Sequence, residues 1–449
     1  MSEVTTVLVG AGLRGTTYAR RALATGAGRV VAVAEPDPGR RARAAREFGV
    51  PAERVYADWT DVVAAGKLAD ACVIATQDRM HVEPAVALAG LGYHILLEKP
   101  MATGEGHASA IAEAALRNGV LLAVCHVLRY TSYTRYLKEL LDSGTIGRLV
   151  SVQHLEPVGW WHHAHSFVRG NWRREDTSAP MLLTKACHDI DWLVHLFGTL
   201  PRRVGSFGSL THLRPEDAPA GATDRCLDCP VEAGCPYSAK RLYLGCLGDE
   251  DQEFWPLSAV TAEHTEAGVL EALRTGPYGR CAYACDNDVV DNQVVTMEFE
   301  SGATCSFTMS AYTAMEQRRT RLMGTHGFVE GDGTTLRLVD FRDGSERTVD
   351  TRALDTLSDR TRTDGPLTVD AGAGGAGNPG PSPEDGHGGG DEALTDAFFA
   401  AVATGDRSLL LSDATESLAT HRVVWAAERA RTTGTVVELD ADGHVLSTA

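Results

Sequence analysis

Between residues 6 and 124 short apolar runs alternate with stretches of helical period. Thr6-Val7-Leu8-Val9 ends in a glycine, and residues 17–23 beyond it read as a helix. Residues 29–34, 69–76, 93–97 and 120–124 are further apolar runs, and helices are predicted between them over 40–48, 82–90 and 104–119. Apolar strands separated by single helices predict a parallel, doubly wound sheet with ligands at the carboxyl ends of its strands. Beyond Gly147 the pattern changes. Residues 149–158, 203–210, 289–299, 303–310, 319–324 and 336–341 read as strands, several joined by turn residues such as Ser301-Gly302 and Asp332-Gly333. One helix is predicted over 180–197. Two more close the chain, over 391–403 and 411–431, the last with Ser412 as N-cap. Residues 211–288 interrupt the second set of strands and read as an insertion. Residues 356–390, rich in Gly, Pro, Asp and Ser, read as a mobile loop. The division is 1–125 for the first domain and 126–449 for the second, with helices over 391–432 at its end.

The first strand-to-helix junction carries Gly10-Ala11-Gly12-Leu13-Arg14-Gly15, the spacing G-x-G-x-x-G. In that context Gly10 permits a tight turn, Gly12 lets a pyrophosphate approach the backbone, and Gly15 lets helix and strand pack closely. The helix N-terminus, with Leu13 and Arg14 in its first turn, offers unpaired N–H groups to phosphate. Glu35 ends the second strand, 20 residues after Gly15, where an acid bonds the ribose hydroxyls of a dinucleotide. A carboxylate there repels a 2′-phosphate and favours NAD over NADP, although Arg40 and Arg41 lie close by.

Composition sets bounds on this picture. The 449 residues are 43% hydrophobic, enough for two or three domains with a large core. A net charge of −18 argues against a nucleic-acid partner. No stretch approaches the roughly 20 apolar residues of a membrane span. The N-terminus lacks the basic-then-apolar pattern of a signal peptide, so a cytoplasmic location is expected. The ten cysteines are then expected to be reduced or metal-bound.

Glu98-Lys99-Pro100 follows the strand at 93–97, at the mouth of the expected cofactor crevice. With the glycine motif, Ala75-Thr76 and His81, Glu98-Lys99-Pro100-Met101, His126-Val127-Leu128-Arg129-Tyr130, Ser143-Gly144-Thr145-Ile146-Gly147, His188-Asp189-Ile190-Asp191 and Gly324-Thr325-His326-Gly327, the chain resembles the glucose–fructose oxidoreductase/inositol dehydrogenase (Gfo/Idh/MocA) family. The resemblance implies an α/β protein: an N-terminal Rossmann domain followed by an α/β domain with a large open, mostly antiparallel sheet. An open sheet needs covering, so a homo-dimer or homo-tetramer formed through that face is expected.

Lys99 is the first candidate for chemistry, because a lysine beside a cationic nicotinamide suits proton transfer to or from a sugar hydroxyl; the resemblance implies the same role. His188 is the second. Family members commonly carry Asp one helical turn before this histidine, where this chain has Thr184, followed by Lys185. Thr76, His81 and Glu98 are expected at the cofactor. The loop 159–174 is rich in Trp, His and Arg, and His165, Arg169 and Trp172 are candidate substrate contacts, with Arg129 and Tyr130. Lys99, Arg129, Lys185 and Arg169 together predict a cationic pocket and an anionic substrate. His387 stands among glycines, either as a lid residue or in a linker. Cys226, Cys229 and Cys235 have turn residues at each knuckle and the spacing of a structural zinc site, with Cys281 the preferred fourth ligand.

These features predict an NAD-dependent oxidoreductase acting on a sugar ring carbon. Two alternatives stay open: a redox-neutral NAD-dependent glycosidase for acidic glycosides such as sulfoquinovosides, and a non-catalytic NAD-binding regulator.

Overall fold

The computed structural model of the protein describes residues 3–355 and 387–448. Most of the loop expected over 356–390 lies outside the described residues. Six parallel strands form the first sheet: β1 (Val4–Val9), β2 (Gly28–Ala34), β3 (Val55–Tyr56), β4 (Ala71–Ile74), β5 (His94–Leu97) and β6 (Leu122–Val124), in the order β3-β2-β1-β4-β5-β6. The order reverses between β1 and β4, which opens a crevice at their carboxyl ends.

Alternate side chains of each strand enter two separate cores. Val7 and Val9 of β1, Cys72 and Ile74 of β4, and Ile95 and Leu97 of β5 pack on one face beneath the helices Val82–Gly90 and Glu105–Arg117. Val4, Leu8, Ala71, Val73 and Leu96 pack on the other with Tyr18, Ala19 and Ala22 of the helix Leu13–Thr25. That second face is completed from the far end of the chain. The helix Gly390–Thr404 lays Leu394, Phe398 and Phe399 on it, and a Cβ on Gly28 would meet the Phe399 ring at 2.2 Å.

The second sheet has ten strands: β7 (Leu149–Pro157), β8 (Pro201–Ser209), β9 (Asn292–Phe299), β10 (Thr304–Ser310), β11 (Arg319–Gly324), β12 (Gly327–Gly331), β13 (Thr335–Asp340), β14 (Glu346–Asp350), β15 (Val437–Leu439) and β16 (Val445–Thr448). Their order is β14-β13-β12-β11-β7-β10-β9-β8-β15-β16, and among the described pairings only β7 with β10 is parallel. One face carries Val152, Val204, Val295, Met297, Phe307 and Leu322 against the helices Ser132–Asp142, Cys187–Phe197 and Ala414–Thr433. The other face is open, with Phe207 opposite Val294 and 73% exposed. The protein is therefore α/β, a Rossmann sheet joined to an open, mostly antiparallel one.

Strands β12, β14, β15 and β16 go unread in the sequence, because at the sheet's flanks polar and glycine residues break the alternation. The excursion between β8 and β9 holds short helices around one small core of its own and a second shared with Ala164 and Val168. The last helix is capped by Asp413, whose carboxylate accepts from Thr415 N and Glu416 N at 2.9 Å. Ser412 does not cap it: its hydroxyl donates to Val124 O at 2.7 Å and ties this helix to β6. Among the described residues no helix is long and apolar enough to cross a membrane.

Candidate functional site

The three glycines have separate reasons for being glycine. Gly10 has a positive φ of 90°, and a Cβ there would lie 2.5 Å from Ala75 O. A Cβ on Gly15 would lie 2.2 Å from Gly10 O, so the helix can approach the strand only without one. Gly12 has nothing within 4 Å of the equivalent position, which leaves the loop open on the side a pyrophosphate needs. Gly12 is the N-cap of the helix Leu13–Thr25 and no side chain caps it, so the first-turn N–H groups have no side-chain acceptor there. The residues present fit a dinucleotide phosphate.

Around this cradle several predicted cofactor residues serve as braces. Glu35 is buried and accepts from Ala11 N at 2.8 Å and Asp37 N at 2.9 Å, with Arg40 3.2 Å from its carboxylate. Glu98 accepts from Arg14 Nε at 2.6 Å, Tyr18 OH at 2.7 Å and Lys99 N at 2.6 Å. Burial pushes the Glu98 carboxyl up, but the charges of Arg14 and Lys99 outweigh it and hold it below its usual value. Arg14 also grips Asp391, at 3.0 and 2.5 Å. His81 links Pro100 O (2.9 Å) to Thr76 O (3.2 Å) and so joins the loops after β4 and β5.

At the crevice mouth Lys99 Nζ donates to the carbonyl of Thr184 at 2.9 Å. The helix predicted over 180–197 breaks in two, Met181–Thr184 and Cys187–Phe197, with Lys185 and Ala186 between. In an unbroken helix the Thr184 carbonyl accepts from the N–H four residues on; the break frees it for Lys99. His188 begins the second helix and is 3% exposed, and its Nδ1 has no partner among the described residues. Burial, and then the charge of Lys99, hold its imidazole well below the usual pKa. His126 packs edge-on at 5.8 Å between ring centres, and His387 lies at 5.7 Å. His387 Nδ1 is 3.0 Å from Asp391 Oδ2.

Lys185 is paired with Glu156 at 3.0 Å, and Glu156 lies 3.1 Å from Arg318, which also holds Asp189. Trp172 Nε1 donates to Asp78 Oδ2 at 3.0 Å. Sequence reasoning missed Asp78, although it follows β4 as Lys99 follows β5. Burial raises its carboxyl pKa, and the charges of His81 and Lys99 offset this only in part.

Other candidate substrate residues are held by internal bonds. Arg129 is 3% exposed and bonds Asp191 at 2.7 and 2.8 Å, Glu416 at 2.5 Å, and the Leu411 carbonyl. The Tyr130 hydroxyl meets Ser412 Oγ (3.1 Å) and Leu411 N (2.8 Å). His165 bonds Tyr243 OH at 2.8 Å and stacks on Tyr278. Arg169 is 1% exposed and donates to Arg280 O at 2.8 Å and Tyr237 O at 2.7 Å. Arg129 and Arg169 are thus engaged internally and Lys185 is paired with Glu156, which leaves Lys99 of the four expected cations at the crevice mouth.

Cys226, Cys229, Cys235 and Cys281 line one small cavity, and all ten cysteines are free of disulfides. Among the described residues no group of three His, Cys, Asp or Glu is arranged to hold a metal ion. Where the zinc staple was expected, Arg169 bridges the carbonyls of Arg280 and Tyr237, and Cys281 N donates to Asp224 O at 2.8 Å.

Comparison with known proteins accords with this architecture. Residues 4–126 match the family model described as the oxidoreductase family, NAD-binding Rossmann fold, and residues 138–439 match the same family's C-terminal alpha/beta domain. The chain is 26% identical over 271 residues to the putative oxidoreductase YteT of Bacillus subtilis (strain 168), 59% of this chain and 60% of that protein. It is 27% identical over 156 residues to the 2,7-anhydro-N-acetylneuraminate hydratase of Escherichia coli (strain K12), 34% of this chain and 41% of that one. The chain thus spans 60% or less of the length of these curated relatives. Levoglucosan dehydrogenase in complex with NADH and levoglucosan has the same fold, with a TM-score of 0.69 and 19% identity over 98% of this chain and 100% of that one. The chain belongs to the Gfo/Idh/MocA oxidoreductase family.

Proposed function

We propose that this protein is an NAD-dependent oxidoreductase that transfers hydride between a sugar ring carbon and the nicotinamide. The observation that supports this most is the position of Lys99 and His188 beside a glycine loop left open at Gly12. Gly10, Gly12, Gly15 and the first turn of the helix would hold the pyrophosphate, and Glu35 would take the ribose through the lone pairs its backbone partners leave free. When bound, the dinucleotide supplies the hydride acceptor. Lys99 would orient the reacting hydroxyl and take its proton, giving up the Thr184 carbonyl to do so, with the neutral His188 imidazole as second acceptor. Trp172 and Asp78 would border the sugar. A sugar substrate also accords with the levoglucosan and NADH complex of the dehydrogenase that shares the fold.

The test is calorimetric titration with NAD and NADP, followed by NADH absorbance during incubation with levoglucosan and myo-inositol. Micromolar NAD binding with NADH formation on a neutral sugar is expected. Absence of affinity for either nucleotide overturns the reading. A redox-neutral cleavage is the second reading, favoured by the hydratase among the relatives; its mark is product without net NADH. A dimer through the open face of the second sheet is proposed from the exposed Phe207 and Val294.

A further inference from the structure

Each oxidation of an alcohol by NAD releases one proton, and that proton must leave a site in which Lys99 is half-buried against the Thr184 carbonyl and His188 is buried. His188 is 3% exposed, and among the described residues its Nδ1 has no partner and no carboxylate is bonded to its ring. One turn earlier stands Thr184, which cannot carry a proton at neutral pH. The proton therefore needs a further group that is near His188, basic, and in contact with solvent.

His387 has each of these properties. Its ring centre is 5.7 Å from that of His188, and its side chain is 27% exposed. Its Nδ1 lies 3.0 Å from Asp391 Oδ2, the geometry that fixes the Nδ1–H tautomer and leaves Nε2 as the acceptor. Asp391 is held ionised: burial pushes its carboxyl up, but Arg14 and His387 pull it far below its usual value. Arg14 belongs to the first turn of the phosphate-binding helix and is braced in turn by Glu98, next to Lys99. The backbone supports this placement. Gly390 packs so closely on the turn Val127–Tyr130 that a Cβ would lie 2.4 Å from Val127 O, and Gly388 and Gly389 have positive φ. The charged and titratable groups around His387 are thus Asp391 on its own segment, His188 on the helix Cys187–Phe197, and Arg14 on the helix Leu13–Thr25, with Lys99 and His126 behind His188.

We propose that the His387–Asp391 pair is the proton exit of this site, a role that rests on the oxidoreductase reading above. The substrate C–H bond gives its electron pair as hydride, and the O–H bond gives its proton to Lys99 or His188. That proton passes to Nε2 of His387, whose other nitrogen keeps its hydrogen bond to Asp391, and then to water. His387 acts through Lys99 and His188 and is a positioning residue for the proton, not a catalytic one.

The test uses the full chain. In 15N spectra of the histidine rings without cofactor, His387 is expected as the Nδ1–H tautomer, and Asp391→Asn is expected to shift it to a mixture. With the sugar that gives NADH in the wild type, His387→Ala is expected to lower kcat at least about tenfold in dilute non-nucleophilic buffer. Imidazole at rising concentration restores it, and KM and NAD affinity change less than threefold. His387→Ala with wild-type kcat at every buffer concentration overturns the proposal, as does an Nε2–H tautomer in the wild type. A wild type that forms no NADH with any sugar defeats the oxidoreductase reading instead, and leaves the tautomer result to judge the pair by itself.

Discussion

Gly12→Ala and Gly15→Ala add the same methyl group three residues apart, and the structure assigns them opposite outcomes. At Gly15 the new Cβ would lie 2.2 Å from Gly10 O, 3.0 Å from Leu8 Cδ1 and 3.2 Å from Ala75 Cβ. Ordinary contact begins near 3.4 Å, so the overlap with the carbonyl exceeds an ångström. That carbonyl belongs to the backbone just after β1 and cannot swing aside as a flexible side chain would. Relief must come from moving the helix off the sheet, at the roughly 1–3 kcal/mol typical of overpacking. Alanine's better helix propensity returns up to about 1 kcal/mol of this. At Gly12 the backbone is extended, φ −77° and ψ −172°, and nothing lies within 4 Å. Alanine fits there without steric strain, and its unfolded-chain entropy gain of about 0.4–1 kcal/mol is offset by its poorer standing at an N-cap, so stability close to the wild type is expected. Its methyl group would occupy the approach of the pyrophosphate. A loss of at least about tenfold in NAD affinity, or 1.4 kcal/mol, is expected. Urea unfolding and NAD titration of both variants decide it. Gly12→Ala that binds NAD like the wild type, or Gly15→Ala that is as stable as the wild type, refutes the reasoning.

Three further outcomes are expected. Arg129→Met strands Asp191 in the core and is expected to cost about 3–5 kcal/mol, read by urea midpoint; a loss under 1 kcal/mol contradicts the buried pair. Burial raises the Asp191 carboxyl, but Arg129 outweighs this and holds it at about 2, so the stability it contributes is present above its unfolded value near 4 and is lost as pH falls toward 2. Burial lowers His126 and His165 to about 3 and His163 and His421 to about 4. Their folded values lie below the unfolded value near 6.5, so the unfolded chain takes up protons first, and stability falls as pH drops below about 6.5. Each contributes roughly 1.4 kcal/mol per pH unit, and equal urea midpoints at pH 7 and pH 5 would count against this. Arg169→Met removes the donor of the Arg280 and Tyr237 carbonyls and is expected to cost about 1–3 kcal/mol for each group left unpaired, with NAD affinity unchanged; an altered NAD affinity would return Arg169 to the crevice.

Local pattern revealed most of the first sheet and the phosphate cradle, because apolar strands and glycine spacing are consequences of neighbours in sequence. Residues Val82–Gly90 form a helix at the predicted bounds for that reason. The break at Lys185 and Ala186 was not legible: both are good helix formers, and the bend is set by packing around Lys99 and Thr184. The fate of the arginines was equally hidden. Arg129 finds Asp191 62 positions away and Arg169 finds Arg280 111 away, and no periodicity reports a partner at that distance. Charge counting consequently placed in the crevice two cations that the fold spends inside. The spacing that suggested zinc brings four cysteines to one cavity, but among the described residues they are not arranged to hold a metal ion.

Phe399 against Gly28, Asp391 on Arg14 and Ser412 on Val124 have a consequence for how this polypeptide matures. A nascent chain that has emerged only to residue 125 exposes one flank of its first sheet, and its phosphate-binding arginine has no acidic clasp. The dinucleotide module is therefore finished only after residues 390–412 leave the ribosome, with the open-sheet strands β7 to β14 made in between.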